Sequence, residues 1–191
     1  KTTNVYAKSK TLAEQAAWKF MEQDTSGMEL STVLPAMVFG PILEEDFGVS
    51  VGAILDMMNG KYPIVPNWDM GVVDVRDVAS LELLAMTKPE AAGKRFVCSA
   101  ENMFMKDQNE YLSELFPESA SKIPKRVAPN WLIKFLALFL PALKMIAEGL
   151  GKERSMDSSR ARNLLGWNPR SAKEAVKSAA ESAKEFGLIK D

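Results

Sequence analysis

Residues 30–35 read LSTVLP, and this run decides the fold class. It is apolar and β-branched at its centre, as a buried strand is, and Pro35 withdraws the N–H that a longer ladder would need. A second run of the same kind, KRFVCSA at 94–100, is apolar in the middle and closed by polar residues. Between the two lies a long helical crossover, so strands 30–34 and 94–99 are expected as parallel neighbours. Two parallel strands alone would leave open edges and uncovered faces, which such sheets rarely tolerate. The chain therefore reads as the back part of a larger α/β domain.

Outward from this pair the pattern alternates helix and strand. From Val5 to about Gln23, Leu12, Ala13, Ala16, Ala17 and Phe20 recur at helical spacing. PAMVFGPILEEDFG (35–48), punctuated by two prolines and two glycines, reads as a loop. Val49 to Asn59 reads as a helix stopped by Gly60. KYPIVP and GVVDV read as short strands and RDVASLELLAMTK as a helix. Asp107 and Glu110 suggest a capping box ahead of YLSELF. A greasy helix is expected from Trp131 to Ile146, and a short one from Ser158 to Leu165 with Gly166 as its stop. Ser171 and Glu174 form a second capping box for a last helix that ends near Phe186 and Gly187.

The 191 residues are 47% hydrophobic and 26% charged, which suits one globular unit with a real core. A formal net charge of −1 and a sequence pI near 5.7 offer no basic footprint for nucleic acid. Cys98 is the single cysteine, so no internal disulfide forms and a reducing, cytoplasmic setting is expected. The absence of histidine removes imidazole as base or metal ligand, and no metal site is expected. WLIKFLALFLPALKMI (131–146) is interrupted by Lys134, Pro141 and Lys144 and falls short of the ~20 apolar residues of a membrane span. The sequence opens on lysine and shows no signal peptide, so a processed, truncated or partial chain is expected.

One spacing carries chemistry. Tyr6 and Lys10 stand four residues apart in the first helical segment and so share a face. A phenol releases its proton only near pH ~10, and an ammonium beside it in a partly dry cleft eases that release. Such a pair can hand a proton to a carbonyl oxygen, while the ammonium's three donors can hold sugar hydroxyls. The same spacing also arises where an aromatic packs at a core edge beside a solvated lysine, so it decides nothing alone.

The neighbouring motifs add to it. YAKSKTLAEQAAWKF, LSTVLPAMVFGPIL, GVVDVRDVASLELLAM, GKRFVCSA and ARNLLGWNPRSAKEAVKSAAESAKEFGL follow one another in this order along essentially the whole chain. In that order the sequence resembles the C-terminal half to two-thirds of an extended short-chain dehydrogenase/reductase of the NAD-dependent epimerase/dehydratase superfamily. Within it, the dihydroflavonol reductase-like branch, with its bacterial aldehyde and ketone reductases, is most similar. The resemblance implies an α/β fold: the C-terminal part of a Rossmann-like doubly wound parallel sheet plus a mostly helical substrate-binding lobe. Residues 1–48 and 71–100 would form the Rossmann side and 49–70 and 101–191 the lobe, with the N-terminal dinucleotide-binding half absent. It implies Tyr6 as acid/base and Lys10 as holder of the nicotinamide ribose. Pro35, Ala36 and Val38 would lie beside the nicotinamide, and Ser50 would touch cofactor phosphate.

NADP is the implied cofactor ahead of NAD, and a small hydrophobic carbonyl compound the implied substrate, beneath the 131–146 helix. The helix Val5–Gln23 is a candidate four-helix contact in a homodimer. Asp74, Arg76, Asp77, Gly166, Trp167 and Pro169 read as architecture, and Met37, Met57, Met58 and Met70 as core filler. The sequence also departs from the family pattern. It lacks a Gly-x-x-Gly-x-x-Gly turn after a first strand, a charged residue that selects the cofactor, and the upstream catalytic serine, which Thr2 and Thr3 are too close to replace. The 191 residues alone are thus expected to be catalytically incompetent. Two alternatives stay open: a nucleotide-sugar epimerase or dehydratase, and a non-catalytic binding module that retains the scaffold.

Overall fold

The computed structural model describes residues 5–140, 142–153 and 155–189. The first half of the chain forms α1 (Val5–Met21), β1 (Thr32–Pro35), β2 (Met37–Phe39), α2 (Val49–Met58), β3 (Val65–Pro66), β4 (Asp69–Asp74) and α3 (Val75–Thr87). Then come β5 (Arg95–Cys98), β6 (Glu101–Phe104), α4 (Met105–Leu115), β7 (Val127–Ala128), α5 (Asn130–Leu136), α6 (Ala142–Gly149), α7 (Ser159–Leu165) and α8 (Ala172–Glu185).

The expected parallel pair is present: Thr32 lies opposite Arg95 and Pro35 opposite Cys98. Phe96 and Cys98 are fully buried, whereas β1 is only half-buried. Among the described residues β1 and β5 have no other strand partner. The Cys98 thiol is pushed up to about 12 by burial, with the charges of Asp77 and Glu82 adding to it.

The sheet then divides. Ala36 donates its N–H to Cys98 O at 3.0 Å, and one residue later Met37 already lies opposite Val72 of β4. On the other side Ala100 donates to Val72 O at 2.8 Å, and the chain runs on as β6, antiparallel to β4. β4 is thus wedged between β2 and β6 and is buried at every position. Its side chains alternate in the manner of any strand. Met70 and Val72 join a large core with Ile54, Met58, Leu112 and the alanine face of α8; Val73 joins a second core with Leu81, Phe96, Leu165 and Trp167.

Two sequence motifs close the second core together. The Trp167 indole N–H donates to Asp77 O at 2.9 Å, and the Asp77 carboxylate accepts from the Arg170 backbone N–H at 2.7 Å and from its guanidinium. One turn earlier Asp74 caps α3 by accepting from the Arg76 N–H, and its carboxylate also takes two bonds from the Arg76 guanidinium. Burial alone would raise the Asp74 carboxyl, but these Arg76 donors hold it below its ordinary value. Gly166 ends α7 in the left-handed conformation at φ 67°, where a side chain would be strained. Ser171 caps α8 by accepting from the Glu174 N–H.

Four expectations are corrected. Residues 35–48 are not all loop, because Met37–Phe39 forms β2 on the parallel edge of β4. β6 was not expected, since ENMF opens on two polar residues, both of them exposed. Asp107 does not cap α4: β6 runs straight into that helix, so Phe104 takes the cap position and Asp107 falls in the first turn. The greasy segment is two helices, not one, because residues 137–140 leave α5 in a tight turn. Pro141, expected as an interruption there, lies outside the described residues, as do Thr2 and Thr3.

Gly71 sits at the division of the sheet. A Cβ there would lie 2.6 Å from Met156 Sδ, 2.8 Å from Ser99 Oγ and 3.1 Å from Ala36 Cβ. Gly71→Ala is expected to destabilise the chain by about 1–3 kcal/mol through overpacking, measured as a lower urea midpoint at unchanged slope.

Candidate active site

Tyr6 and Lys10 stand on the first two turns of α1. The Lys10 Nζ lies 5.7 Å from the centroid of the Tyr6 ring, so the two side chains share one face. Tyr6 is 66% exposed, and α1 buries no residue anywhere along its length. Ser9 and Thr11 turn their hydroxyls back onto the carbonyls of Tyr6 and Ala7, and the side chains of Tyr6, Lys8 and Lys10 are exposed.

One acidic residue fastens the helix to the sheet. Glu14 accepts from the Arg95 Nη2 at 2.9 Å, from Thr32 Oγ1 at 3.1 Å and from the Trp18 indole at 3.2 Å. It thereby bridges α1 to both strands of the parallel pair, one residue from each. The Arg95 guanidinium in particular holds the Glu14 carboxyl down to about 2. Sequence reading missed this anchor, because Arg95 lies 81 positions away.

Pro35 and Ala36 lie at the carboxyl end of β1, where the chain changes partner from β5 to β4. In open α/β sheets ligands settle outside the carboxyl ends of parallel strands, at the point where strand order changes. Pro35 is exposed and Ala36 half-buried. The Val38 side chain packs toward the Val73–Leu81–Phe96 core, which leaves its backbone as the part that can face a ligand. Ser99, at the carboxyl end of β5, was not singled out from the sequence. It is 2% exposed, and its Oγ has no hydrogen-bond partner among the described residues. The turn that follows is held by Arg162, which donates to Ala100 O at 2.9 Å.

Ser50 stands in the first turn of α2, whose cap position is Gly48, so the cap residue offers no side chain to that helix's leading N–H groups. Among the described residues, no hydrogen bond or ion pair joins Tyr6 or Lys10 to Pro35, Ala36, Val38 or Ser50. The structure brings together the tyrosine and lysine, and separately the strand-end residues.

No protein-family model matches the chain. The NADPH-dependent methylglyoxal reductase GRE2 of Saccharomyces cerevisiae is 30% identical over 191 residues, covering 96% of this chain and 52% of that protein. Cinnamoyl-CoA reductase CAD2 of Medicago truncatula is 37% identical over 126 residues, covering 65% of this chain and 36% of that protein. The crystal structure of yeast methylglyoxal/isovaleraldehyde reductase Gre2 complexed with NADPH matches with a TM-score of 0.73 at 29% identity, over 96% of this chain and 52% of that one. The chain belongs to the extended short-chain dehydrogenases/reductases. It spans about half the length, or less, of these relatives. The α/β architecture with its parallel pair matches the C-terminal, Rossmann-like part of an extended short-chain reductase.

The Glu14 anchor has a pH signature. A carboxyl held at about 2, against its ordinary 4.5, stabilises the fold fully above the ordinary value and loses that contribution as pH falls toward 2. Arg95 is half-exposed, so solvent screens the pair to on the order of 1 kcal/mol. Glu14→Gln is expected to lower stability by that amount near neutral pH, with the gap to wild type closing in acid, measured by urea unfolding across pH.

Proposed function

We propose that this chain is the substrate-side portion of an NADP(H)-dependent carbonyl reductase, with Tyr6 as proton donor. The observation that carries the reading is the Tyr6–Lys10 pair on the open face of α1. Relatives named as NADPH-dependent or cinnamoyl-CoA reductases support it.

The residues present suit the nicotinamide end of a dinucleotide. In this reading Lys10 holds the nicotinamide ribose through its ammonium and eases the release of the Tyr6 proton. Pro35, Ala36 and the Val38 backbone border the ring at the strand ends, and Ser50 offers a hydroxyl and uncapped helix N–H groups to phosphate. The cofactor, when bound, supplies the hydride; Tyr6 gives the carbonyl oxygen its proton and takes it back in the reverse direction. The sequence has no glycine-rich turn to cradle the pyrophosphate, so that part of the site is supplied by other residues, and the 191 residues alone do not turn over.

Residues 1–48 and 71–100 make up the cofactor side and 49–70 and 101–191 the substrate lobe. The β1–β5 pairing supports the first assignment and the β3–β7 pairing the second, while the β2–β4–β6 sheet ties the two together. The substrate is a small hydrophobic aldehyde or ketone. Val5, Leu12 and Phe20, exposed along α1, support this helix as a homodimer contact.

In a polypeptide that joins these residues to a dinucleotide-binding segment, NADPH oxidation by methylglyoxal or an aromatic aldehyde is expected. There Tyr6→Phe should lower kcat by roughly 10²–10⁴-fold with binding of NADPH retained. Lys10→Met should weaken NADPH binding as well as kcat. Full activity of the Tyr6→Phe variant would remove the reductase mechanism, and turnover by the 191 residues alone would remove the incompetence.

A further inference from the structure

α5 and the turn after it are apolar on both sides. On the inner side Ile133 packs with Ala128 and Leu150, and Ala137 is buried below them. On the outer side Trp131, Phe135, Leu138 and Phe139 are 69%, 53%, 72% and 69% exposed. Trp131 and Phe135 lie one turn apart on α5, and the following turn continues the apolar stripe, with the rings of Phe135 and Phe139 edge to face at 5.5 Å. Contiguous exposed apolar groups of this kind mark surfaces that meet a partner.

The charge around it says what kind. Residues 119–147 contain five lysines and arginines and no aspartate or glutamate, within a chain whose net charge is −1. Of these cations Lys125, Arg126, Lys134 and Lys144 are exposed. A second copy of the chain would bring the same cationic surface against itself, which disfavours a symmetric dimer here. A stripe of tryptophan, phenylalanine and leucine flanked by cations is the composition of a segment that lies in the headgroup plane of an anionic bilayer. Among the described residues no helix is long and apolar enough to cross one.

We propose that the outer face of α5 docks on an anionic lipid surface. Trp131, Phe135, Leu138 and Phe139 enter the acyl boundary, and Lys125, Arg126 and Lys134 engage lipid phosphates. This docking is independent of the reductase reading.

Co-sedimentation of the 191-residue chain with vesicles tests it. Binding to equimolar phosphatidylglycerol and phosphatidylcholine is expected to be at least about ten-fold tighter than to phosphatidylcholine alone, and to weaken with salt. The F135S/F139S double variant removes two rings that are more than half exposed and should cut binding about ten-fold or more; L138S, alone, should weaken it in the same direction. Trp131 emission should shift to the blue on binding, a shift lost in W131F. Equal binding to both vesicle types, or none, would overturn the proposal, as would wild-type binding by both apolar variants. So would a dimer in gel filtration that F135S/F139S converts to monomer, since a second copy would then cover the stripe.

Discussion

The structure turns on the change of strand partner at Ala36. A buried backbone cannot leave its amides unpaired, so a strand that abandons one neighbour must find another at once. Ala36 gives its last bond to Cys98 and Met37 is already in register with Val72, while Ala100 reaches Val72 from the other side. One strand, β4, thus satisfies two departing chains. That demand explains why β4 is buried throughout and why Gly71, lacking a side chain, stands where Ala36, Ser99 and Met156 converge. It also brings Ala36 and Ser99 together against Gly71 at the strand ends, the place where such sheets receive ligands.

The helices pack their apolar faces on this division, and polar contacts lock the packing in place. Asp77 gathers the Trp167 indole and the Arg170 backbone and side chain, so that GVVDVRDVA and LGWNPR act as one clasp across the second core. α1 has no comparable apolar seat. Its attachment runs through Glu14, and its tyrosine and lysine project from the end that lies beyond that anchor. Glu14 ties the helix to β1 and β5 while its functional face stays open.

What the sequence disclosed follows from the range of each interaction. The Tyr6–Lys10 pairing lies within one helix, and the spacing of four alone brings the side chains together. The Ser171 cap and the Gly166 stop are equally local, and the β1–β5 pairing followed from two apolar runs joined by a long crossover. The Glu14–Arg95 bridge and the Asp77 clasp join residues roughly eighty to ninety positions apart, and neither end announces its partner. β2 and β6 escaped for a related reason: three or four residues are too few to show a period, and both exist only because β4 lies between them. Ser99 had no signal beyond closing an apolar run, and its unsatisfied hydroxyl became visible only with Gly71 against it.

The single cysteine carries a last consequence. Cys98 is sealed at the end of β5 and stays in its thiol form through the physiological range, and the chain has no histidine. Soft electrophiles alkylate thiolates first and imidazoles next. Burial thus keeps the one thiol of this sequence from alkylation, and no imidazole is present to take its place.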